Sequence, residues 1–546
     1  MLAIDPVGQG ERFQYWDPDV PEAEQKWGTR EHSYEGLQCT LIGSSVTRYF
    51  IWDGMRGIDY LISREEVDAE RIGVTGNSGG GTQTTLLMMA DPRIHVAVPC
   101  CYVTSRETYM KTGQSQDAEQ IVFGSIREGL NYDDYLTCFA PKPVRIGAAA
   151  YDYFCIEGVY QTYERARQVY RHFKAEEKIG LAVVEATHGF SPGLREACVN
   201  WFKHHLNGEE PDFRTGEIPA EVEEDLNCTG SGQVLMDRPS APTVFDLNLQ
   251  ELERRRLRRP RIADKQALED WVRRMRSEVS EVLALPQGRG PILPRVISTQ
   301  EIDGLLAEKI FFFSEPDVVL TAIGFAPSDL REAAPATLLL LENGTEGIAD
   351  EEGLIRKLTS EGRRILVLDV RGIGGVKARS VNPRGVSEIY GSEFKLNCDA
   401  MMMGMSLIGL RVFDVLRGYD YLTSRRDVDA EQIDLHAKGL AALYGFFAGV
   451  LEEGLRTLVF EDMLYSYESV VATKDYYCDH RILVHGILEH FDLVDLLPCF
   501  EDREYQLIRP RNARDEIVSP EEWKRNWLDV VETSYPILGE TLSKTE

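Results

Sequence analysis

Residues 72–82 read IGVTGNSGGGT, an apolar, β-rich run followed by Gly-Asn-Ser-Gly-Gly and then by a stretch with helical periodicity. The segment fits the pattern G-x-S-x-G at Gly76, Ser78 and Gly80, in which a serine lies on a sharp turn between a strand and a helix. Such a turn strains the backbone of the serine, and side chains two residues to either side would collide. The N–H of Gly79 then points toward an oxyanion that develops beside Ser78.

The pattern alone is weak evidence, because chance supplies roughly 0.2 such matches in a chain of this length. The interpretation as a turn that presents a nucleophilic serine depends on the predicted strand before the motif and the predicted helix after it. A glycine-rich phosphate-binding turn is the alternative, but no lysine follows the glycines as in a P-loop.

Around this turn, short apolar runs alternate with helix-length amphipathic segments over the first 210 residues. The alternation predicts a mostly parallel sheet flanked by helices, an α/β fold. The predicted strands are Leu2–Ile4, Ile72–Thr75, Val96–Val98, Val144–Ala150 and Leu181–Glu185. The predicted helices are Val46–Ile62, Gly81–Ala90, Gly158–Lys174 and Leu194–Leu206.

A nucleophilic serine needs a general base, and the base needs an acid that orients it. Asp152 and His188 each stand just past a predicted strand, in the order acid and then histidine after the serine. We therefore predict a catalytic triad of Ser78, Asp152 and His188. Glu157 lies one turn further on and is an alternative acid, and an ordinary surface imidazole is the alternative interpretation of His188.

The chain also contains an internal repeat. Residues 56–72 (RGIDYLISREEVDAERI) recur at 417–433 as RGYDYLTSRRDVDAEQI, with twelve of seventeen positions identical at an offset of 361. The period is far too long for a solenoid. We predict two copies of one α/β domain, in tandem, with boundaries at 1–210, 211–290 and 291–546. The middle segment is predicted to be an acidic linker followed by a basic helical stretch.

The second copy lacks all three catalytic groups. At the offset of 361, Ser78 falls on Gly439, Asp152 falls on Ala513, and His188 would fall past the last residue, Glu546. We predict that the second copy is catalytically inactive and serves to pack against the first copy, to shape its cleft or to hold substrate.

The first copy is predicted to lack its N-terminal strands. The second copy has apolar, strand-like runs before Asp369, at 309–313, 318–325 and 336–341, whereas only Met1 precedes the matching run at Leu2. We expect a longer natural protein, with on the order of 100 further residues that would include the turn giving the second oxyanion N–H.

The residues of the first copy resemble the α/β-hydrolase superfamily, in particular its acetyl xylan esterase and cephalosporin deacetylase-like branch. The resemblance lies in residues 71–84 (RIGVTGNSGGGTQT), 140–143 (APKP) and 188–190 (HGF). It implies serine esterase chemistry, often the removal of acetyl groups from sugar hydroxyls. Glucuronoyl esterases are similar but have Cys-Ser-Arg at the turn, where this chain has Asn77, Ser78 and Gly79.

Composition restricts the partners of the protein. The 546 residues carry a formal net charge of −29, so no attraction to nucleic acid or to acidic membranes is expected. No run approaches the roughly 18 apolar residues of a membrane span. The ten cysteines show no CxxC and no zinc-type spacing, and neither a metal nor an organic cofactor is expected. Without a signal peptide the cytoplasm is expected, although an upstream segment could have carried one.

These observations predict a serine carboxylic-ester hydrolase that removes acetyl groups from a saccharide through an acyl-enzyme. The expected partner is a small acyl ester or an acetylated saccharide, and the sequence is compatible with a homo-oligomer. Two alternatives remain open at this point: a serine peptidase of the prolyl-oligopeptidase type, and a non-catalytic scaffold or binding protein.

Overall fold

The structure is a computed structural model that describes residues 1–15, 17, 19–20, 26–255, 259–477, 480–519, 521–523, 525, 527, 530 and 534–535. Arg256 and Arg258 of the predicted basic stretch, and Cys478, lie outside the described residues.

The first unit contains a four-stranded, all-parallel sheet in the order β1-β2-β3-β4. The strands are β1 (Ile72–Asn77), β2 (Ile94–Cys100), β3 (Val144–Tyr151) and β4 (Ile179–Thr187). The helices are α1 (Thr29–Leu41), α2 (Thr47–Ile62), α3 (Gly79–Ala90), α4 (Arg106–Tyr109), α5 (Tyr132–Thr137), α6 (Ile156–His172) and α7 (Pro192–Phe202). The predicted α/β class is confirmed, with four of the five predicted strands and all four predicted helices of this region present.

The fifth predicted strand, Leu2–Ile4, is wrong. These residues belong to no strand of the structure, and Ile4 is 41% exposed. A strand forms only where a neighbouring strand supplies hydrogen-bonding partners. In the part of the chain that the structure describes, β1 pairs only with β2, so no strand stands beside its other edge.

Both faces of this sheet are covered. One core includes Ile58 of α2, Leu87 of α3 and Val159 of α6, and the opposite core includes Leu194 and Trp201 of α7. Fully burying an aliphatic side chain of this size stabilises the fold by about 1.5–3 kcal/mol. The sheet is therefore a rigid support for the loops that leave the carboxyl ends of its strands.

The middle segment contains four helices: α8 (Glu223–Leu226), α9 (Val234–Asp237), α10 (Val244–Arg254) and α11 (Lys265–Val282). It does more than connect the two units, since Val244 packs in a core of the first unit while Trp271 and Met275 pack in the core of the second. Arg259 forms an ion pair with Asp495 at 2.6 Å. In this part of the basic stretch, a positive charge therefore offsets the negative charge of an acidic neighbour.

The second unit contains an eight-stranded sheet in the order β12-β11-β10-β8-β9-β7-β6-β5, with β5, β6 and β7 antiparallel and the rest parallel. The strands are β5 (Arg295–Ile302), β6 (Leu305–Glu315), β7 (Val318–Pro327), β8 (Ala334–Leu340), β9 (Arg364–Asp369), β10 (Val428–Lys438), β11 (Leu455–Glu461) and β12 (Glu504–Ile508). The helices are α12 (Glu352–Ser360), α13 (Ser392–Met402), α14 (Leu407–Ser424), α15 (Leu440–Leu451), α16 (Tyr467–Ala472) and α17 (Ile487–His490).

Some elements of the two units match at the offset of 361. α3 and β2 of the first unit coincide residue for residue with α15 and β11 of the second. The tandem repeat remains a prediction, which these coincident bounds support.

The two units share one large core. Leu37 and Leu41 of α1 pack among the buried side chains of the second unit, and the ring of Tyr34 stacks on Tyr476 at 4.1 Å. The units are thus held in a fixed relation to each other. None of the helices formed by the described residues combines the length and the apolar character needed to cross a membrane.

Candidate active site

Ser78 lies on the turn between β1 and α3, with φ 58° and ψ −118°. Its N–H donates to the carbonyl of Cys100 at 3.0 Å, and its own carbonyl accepts from Thr82 at 2.9 Å. These two bonds fix the serine at the end of the sheet. A non-glycine residue in this left-handed region costs of order 1–3 kcal/mol, which the surrounding fold must offset.

The two glycines of the motif around Ser78 differ in how much space is available for a side chain. A Cβ on Gly76 would lie 2.5 Å from the carbonyl carbon of Gly80, so a side chain there cannot be accommodated without a backbone shift. A Cβ on Gly80 would meet nothing within 4 Å. A side chain at Gly76 would therefore collide, as predicted. The same prediction is wrong for Gly80, because only the backbone of Gly80 lies close to Gly76.

Asp152 and His188 meet at the carboxyl edge of the sheet, just past β3 and β4. The Nδ1 atom of His188 lies 2.9 Å from both carboxylate oxygens of Asp152, whose side chain is only 2% exposed. The Asp152 carboxylate also accepts from the N–H of Phe154 at 3.1 Å. The alternative acid, Glu157, is exposed on α6. The geometry brings Asp152 to the histidine and leaves Glu157 outside.

Tyr153 stands between His188 and Ser78. Its hydroxyl lies 3.0 Å from Nε2 of His188, and its ring packs on the imidazole at 4.4 Å. Burial raises the pKa of Tyr153 to about 12, and a hydrogen bond with Ser78 opposes that rise. Across the described residues, Ser78 and His188 form no direct hydrogen bond. The three predicted residues are thus gathered around a tyrosine that sequence reasoning had not assigned.

A signal for Tyr153 was present in the sequence. It directly follows Asp152, at the same strand end, and so belongs to the edge where the other groups were predicted. Its function depends on the direction of its side chain, which strand periodicity does not give.

A buried pair of His32 and Glu119, which the sequence analysis did not predict, lies close to Gly79. Glu119 Oε2 is 3.1 Å from Nδ1 of His32, and Nε2 of His32 is 2.8 Å from the carbonyl of Val7. Burial alone would lower the pKa of His32, but these two acceptors, led by the Glu119 carboxylate, raise it. Both ring nitrogens of His32 thus face acceptors, and the pair places the Glu119 carboxylate close to the predicted oxyanion position at Gly79.

The structure offers one group that could hold a metal ion within the described residues. It consists of Cys101, Asp152 and His188, whose ligand atoms lie within 4.8 Å of one another. Burial raises the pKa of the Cys101 thiol to about 11, and only the thiolate is a good ligand. Asp152 and His188 are already bonded to each other, so this arrangement is more suited to an acid–base pair than to a metal.

A cavity of about 570 Å³ borders this edge through Tyr153 and Phe154. Its remaining wall comes from both units, with Gln120 and Tyr109 on the first and residues of the 379–391 segment on the second. A ligand in this cavity would touch the side chain that contacts both Ser78 and His188.

In the second unit, Gly439 stands at the matching turn between β10 and α15, with φ 62° and ψ −138°. Its N–H donates to the carbonyl of Glu461 at 2.9 Å. Ala513, at the position that matches Asp152, is buried and apolar. The turn is thus present in the second unit, with glycine at the position of the nucleophile and alanine at the position of the acid.

Comparison with known proteins supports the class of the first unit. Residues 48–158 match the model of the prolyl oligopeptidase family, a segment that contains β1, Ser78, α3, β2, β3 and Asp152. The matched residues make up about a fifth of the chain. The match covers neither His188 nor the second unit.

The chain is 29% identical over 108 residues to the putative hydrolase YtaP of Bacillus subtilis (strain 168), covering 19% of this chain and 36% of that protein. It thus spans about a third of the length of this curated relative.

Solved structures of low sequence identity are also similar. A putative acetyl xylan esterase from Bacteroides fragilis NCTC 9343 matches with a TM-score of 0.44 and 15% identity, over 59% of this chain and 87% of that one. A glucuronoyl esterase from Solibacter usitatus matches with a TM-score of 0.37 and 12% identity, over 52% and 83%.

Proposed function

We propose that the protein is a serine carboxylic-ester hydrolase that removes acetyl groups from a saccharide through an acyl-enzyme. The observation that carries the proposal is the pairing of Asp152 with Nδ1 of His188 at 2.9 Å, beside a serine held on a strained strand-to-helix turn. A carboxylate on Nδ1 fixes the tautomer that leaves Nε2 free to accept a proton.

In the first half-reaction, Ser78 Oγ attacks the carbonyl carbon of the ester while Nε2 of His188 takes the serine proton. The carbonyl oxygen gains the negative charge and is stabilised by the N–H of Gly79, a contribution of about 3–4 kcal/mol for one such donor in serine hydrolases. The C–O bond to the alcohol then breaks, and His188 returns its proton to the leaving oxygen.

In the second half-reaction, water takes the place of the alcohol. His188 removes a proton from water, the resulting hydroxide attacks the acyl carbon, and the bond to Ser78 breaks as the serine regains its proton. The products are the free acid and the unchanged enzyme. Asp152 stays ionised and stabilises the imidazolium in both halves.

The side chain of Tyr153 must move away from His188 before this reaction can begin. Its hydroxyl lies at 3.0 Å on the same Nε2 that Ser78 has to use. Tyr153 is among the more exposed side chains of the site, at 42%, so a rotation of its side chain is not blocked by packing on all sides. We propose that a substrate in the adjoining cavity displaces the tyrosine and thereby lets Ser78 approach His188.

The remaining assignments are proposals of the same kind. We propose a small acyl ester or acetylated saccharide as the partner, a cytoplasmic location, and a second unit that is catalytically inactive. The vacant turn at Gly439 and the apolar Ala513 support the last of these.

The test is hydrolysis of 4-nitrophenyl acetate and of acetylated xylo-oligosaccharide by the full chain and by Ser78→Ala. Loss of the nucleophile is expected to lower kcat by about 10⁴- to 10⁶-fold. The matched control is Ser63→Ala, an exposed serine at the end of α2. Unchanged hydrolysis in Ser78→Ala would refute the proposal.

A serine peptidase is the second candidate, because the family model that matches residues 48–158 is that of the prolyl oligopeptidase family. The same triad would then cleave an amide. Parallel assays with Gly-Pro-4-nitroanilide and 4-nitrophenyl acetate separate the two: the ester should be cleaved and the peptide should not. Ser78-dependent release of nitroaniline at a comparable kcat/KM would favour the peptidase.

A further inference from the structure

The second unit forms part of the wall of the cavity beside the candidate triad. Asn382, Arg384 and Tyr390, all from the 379–391 segment, line the same cavity as Tyr153. This segment runs between β9 and α13 of the second unit, and we call it the 379–391 loop. A residue of the second unit can therefore touch what binds next to Ser78.

The 379–391 loop is fixed to the first unit by several hydrogen bonds. Asn382 Nδ2 donates to the carbonyls of Gly113 at 3.0 Å and of Tyr390 at 2.8 Å. The hydroxyl of Tyr390 donates to the carbonyl of Thr29 at 2.6 Å, and Ser115 Oγ donates to the carbonyl of Tyr390 at 3.2 Å. These hydrogen bonds fix the position of the loop at the cavity before any ligand binds.

The contact is also sterically close. A side chain at Gly113 would collide with the carbonyl of Val381. Glycine at this position lets the two backbones approach, and the approach places the loop at the cavity.

Arg384 is the cationic residue of this wall. Its guanidinium stacks over the ring of Tyr390 at 5.3 Å, and none of the described residues places a carboxylate within ion-pairing distance of it. An arginine with planar hydrogen-bond donors and no acid partner, at the wall of a cavity, is suited to bind a carboxylate in two-point fashion.

The other charged residue in the cavity wall is Asp117. Burial, reinforced by the Glu119 carboxylate, raises the pKa of Asp117 to about 7, so at neutral pH much of this group is uncharged. The charge that a ligand meets here is then close to that of Arg384 alone. A single cation balances a monoanion, whereas a phosphate dianion would leave excess negative charge near Asp117 and Glu119.

We propose that Arg384 of the second unit selects substrates whose saccharide carries a carboxylate, as in an O-acetylated uronic acid. The inference rests on the proposed ester hydrolysis for its catalytic meaning, but the binding that it describes is independent of catalysis. The second unit thereby acts as a specificity element for the site of the first.

The test measures binding by the full chain with Ser78→Ala, which prevents turnover. Titration calorimetry compares an O-acetylated methyl galacturonoside, which carries one carboxylate, with its methyl ester, which lacks that negative charge. We expect the acid to bind about 10- to 100-fold more tightly, the range for a hydrogen bond to a charged group. Arg384→Gln should abolish this preference, and Arg384→Lys should retain part of it.

The control is Arg379→Gln, an exposed arginine of the same loop that does not line the cavity. It should leave the preference unchanged. Because Arg384 is exposed, its replacement should not alter the Tm, and a preserved Tm excludes misfolding as the cause of lost binding. A preference that survives Arg384→Gln, or no preference in the parent, overturns the inference.

Hydrolysis of 4-nitrophenyl acetate by the chain with Ser78 intact is measured separately. If hydrolysis depends on Ser78 but binding shows no preference for the acid, the specificity inference fails and the proposed function stands. If the preference depends on Arg384 but hydrolysis is absent, the inference stands and the proposed function fails.

Discussion

The turns at Ser78 and Gly439 have nearly the same backbone, with φ of 58° and 62° and ψ of −118° and −138°. Each donates its N–H to the last carbonyl of the neighbouring strand, Cys100 at 3.0 Å and Glu461 at 2.9 Å. The turn is therefore a property of the sheet and of the helix that follows. Among the described residues, the two units differ in the side chains at these turns and after a later strand, where Ser78 and Asp152 of the first unit are matched by Gly439 and Ala513.

The comparison also shows where strain is held. Ser78 occupies a left-handed conformation that costs a residue with a Cβ about 1–3 kcal/mol, whereas glycine at 439 adopts it without that penalty. A position that keeps a strained serine in one unit and relaxes to glycine in the other is consistent with a nucleophile in the first unit alone.

The largest effect is expected from removing the base. His188→Ala takes away the group that accepts the Ser78 proton, and kcat for ester hydrolysis should fall by about 10⁴- to 10⁶-fold. The measurement is single-substrate kinetics with 4-nitrophenyl acetate. His172→Ala, an exposed histidine at the end of α6, is the control and should retain full activity. A fall in kcat of less than tenfold would mean that another residue is the base, and the first unit would then not differ from the second in the way proposed.

The next effect concerns the glycines of the turn. Gly76→Ala places a Cβ 2.5 Å from the carbonyl carbon of Gly80, and overpacking of this kind destabilises by about 1–3 kcal/mol. Gly80→Ala meets open space within α3 and should change stability by less than about 1 kcal/mol. Urea unfolding of both variants tests the pair. Equal destabilisation would contradict the geometry of the first turn.

A smaller effect is expected at Tyr153. Its hydroxyl competes with Ser78 for Nε2 of His188, and a hydrogen bond of this kind is worth about 0.5–1.5 kcal/mol. Tyr153→Phe keeps the ring and frees the nitrogen, so kcat/KM for 4-nitrophenyl acetate should rise by about 2- to 10-fold. A tenfold loss instead would mean that the hydroxyl takes part in the reaction, for example by stabilising the oxyanion.

The smallest effect is expected in the second unit. Adding a serine there, as Gly439→Ser in the Ser78→Ala background, should restore no hydrolysis, because Ala513 supplies no acid. The new side chain would also meet the Glu342 carboxylate. Activity above the Ser78→Ala background would show that the second unit retains more catalytic capacity than its side chains indicate.

Much of the fold and of the site followed from the sequence for a physical reason. Periodicity gives strands and helices, and in a parallel sheet it also gives the edge at which strand ends meet. Ser78, Asp152 and His188 lie at such ends and could be predicted one by one. Leu2–Ile4 failed because an apolar run does not reveal whether a partner strand stands beside it.

The remaining parts of the site depend on contacts between distant segments. The pairing of His32 with Glu119 joins α1 to a short turn at 118–120, and Arg384 reaches the cavity from the other unit. No local sequence pattern predicts these contacts between segments that are distant in the chain. The position of the Tyr153 hydroxyl depends on a side-chain rotamer, which sequence spacing leaves open.

The most direct test of Ser78 as the nucleophile is labelling of the full chain with a fluorophosphonate probe, followed by intact mass and peptide mapping. We expect one adduct per chain, on Ser78, which disappears in Ser78→Ala and is unaffected by Gly439→Ser. A folded protein that takes up no label, or that is labelled at a serine other than Ser78, would contradict it.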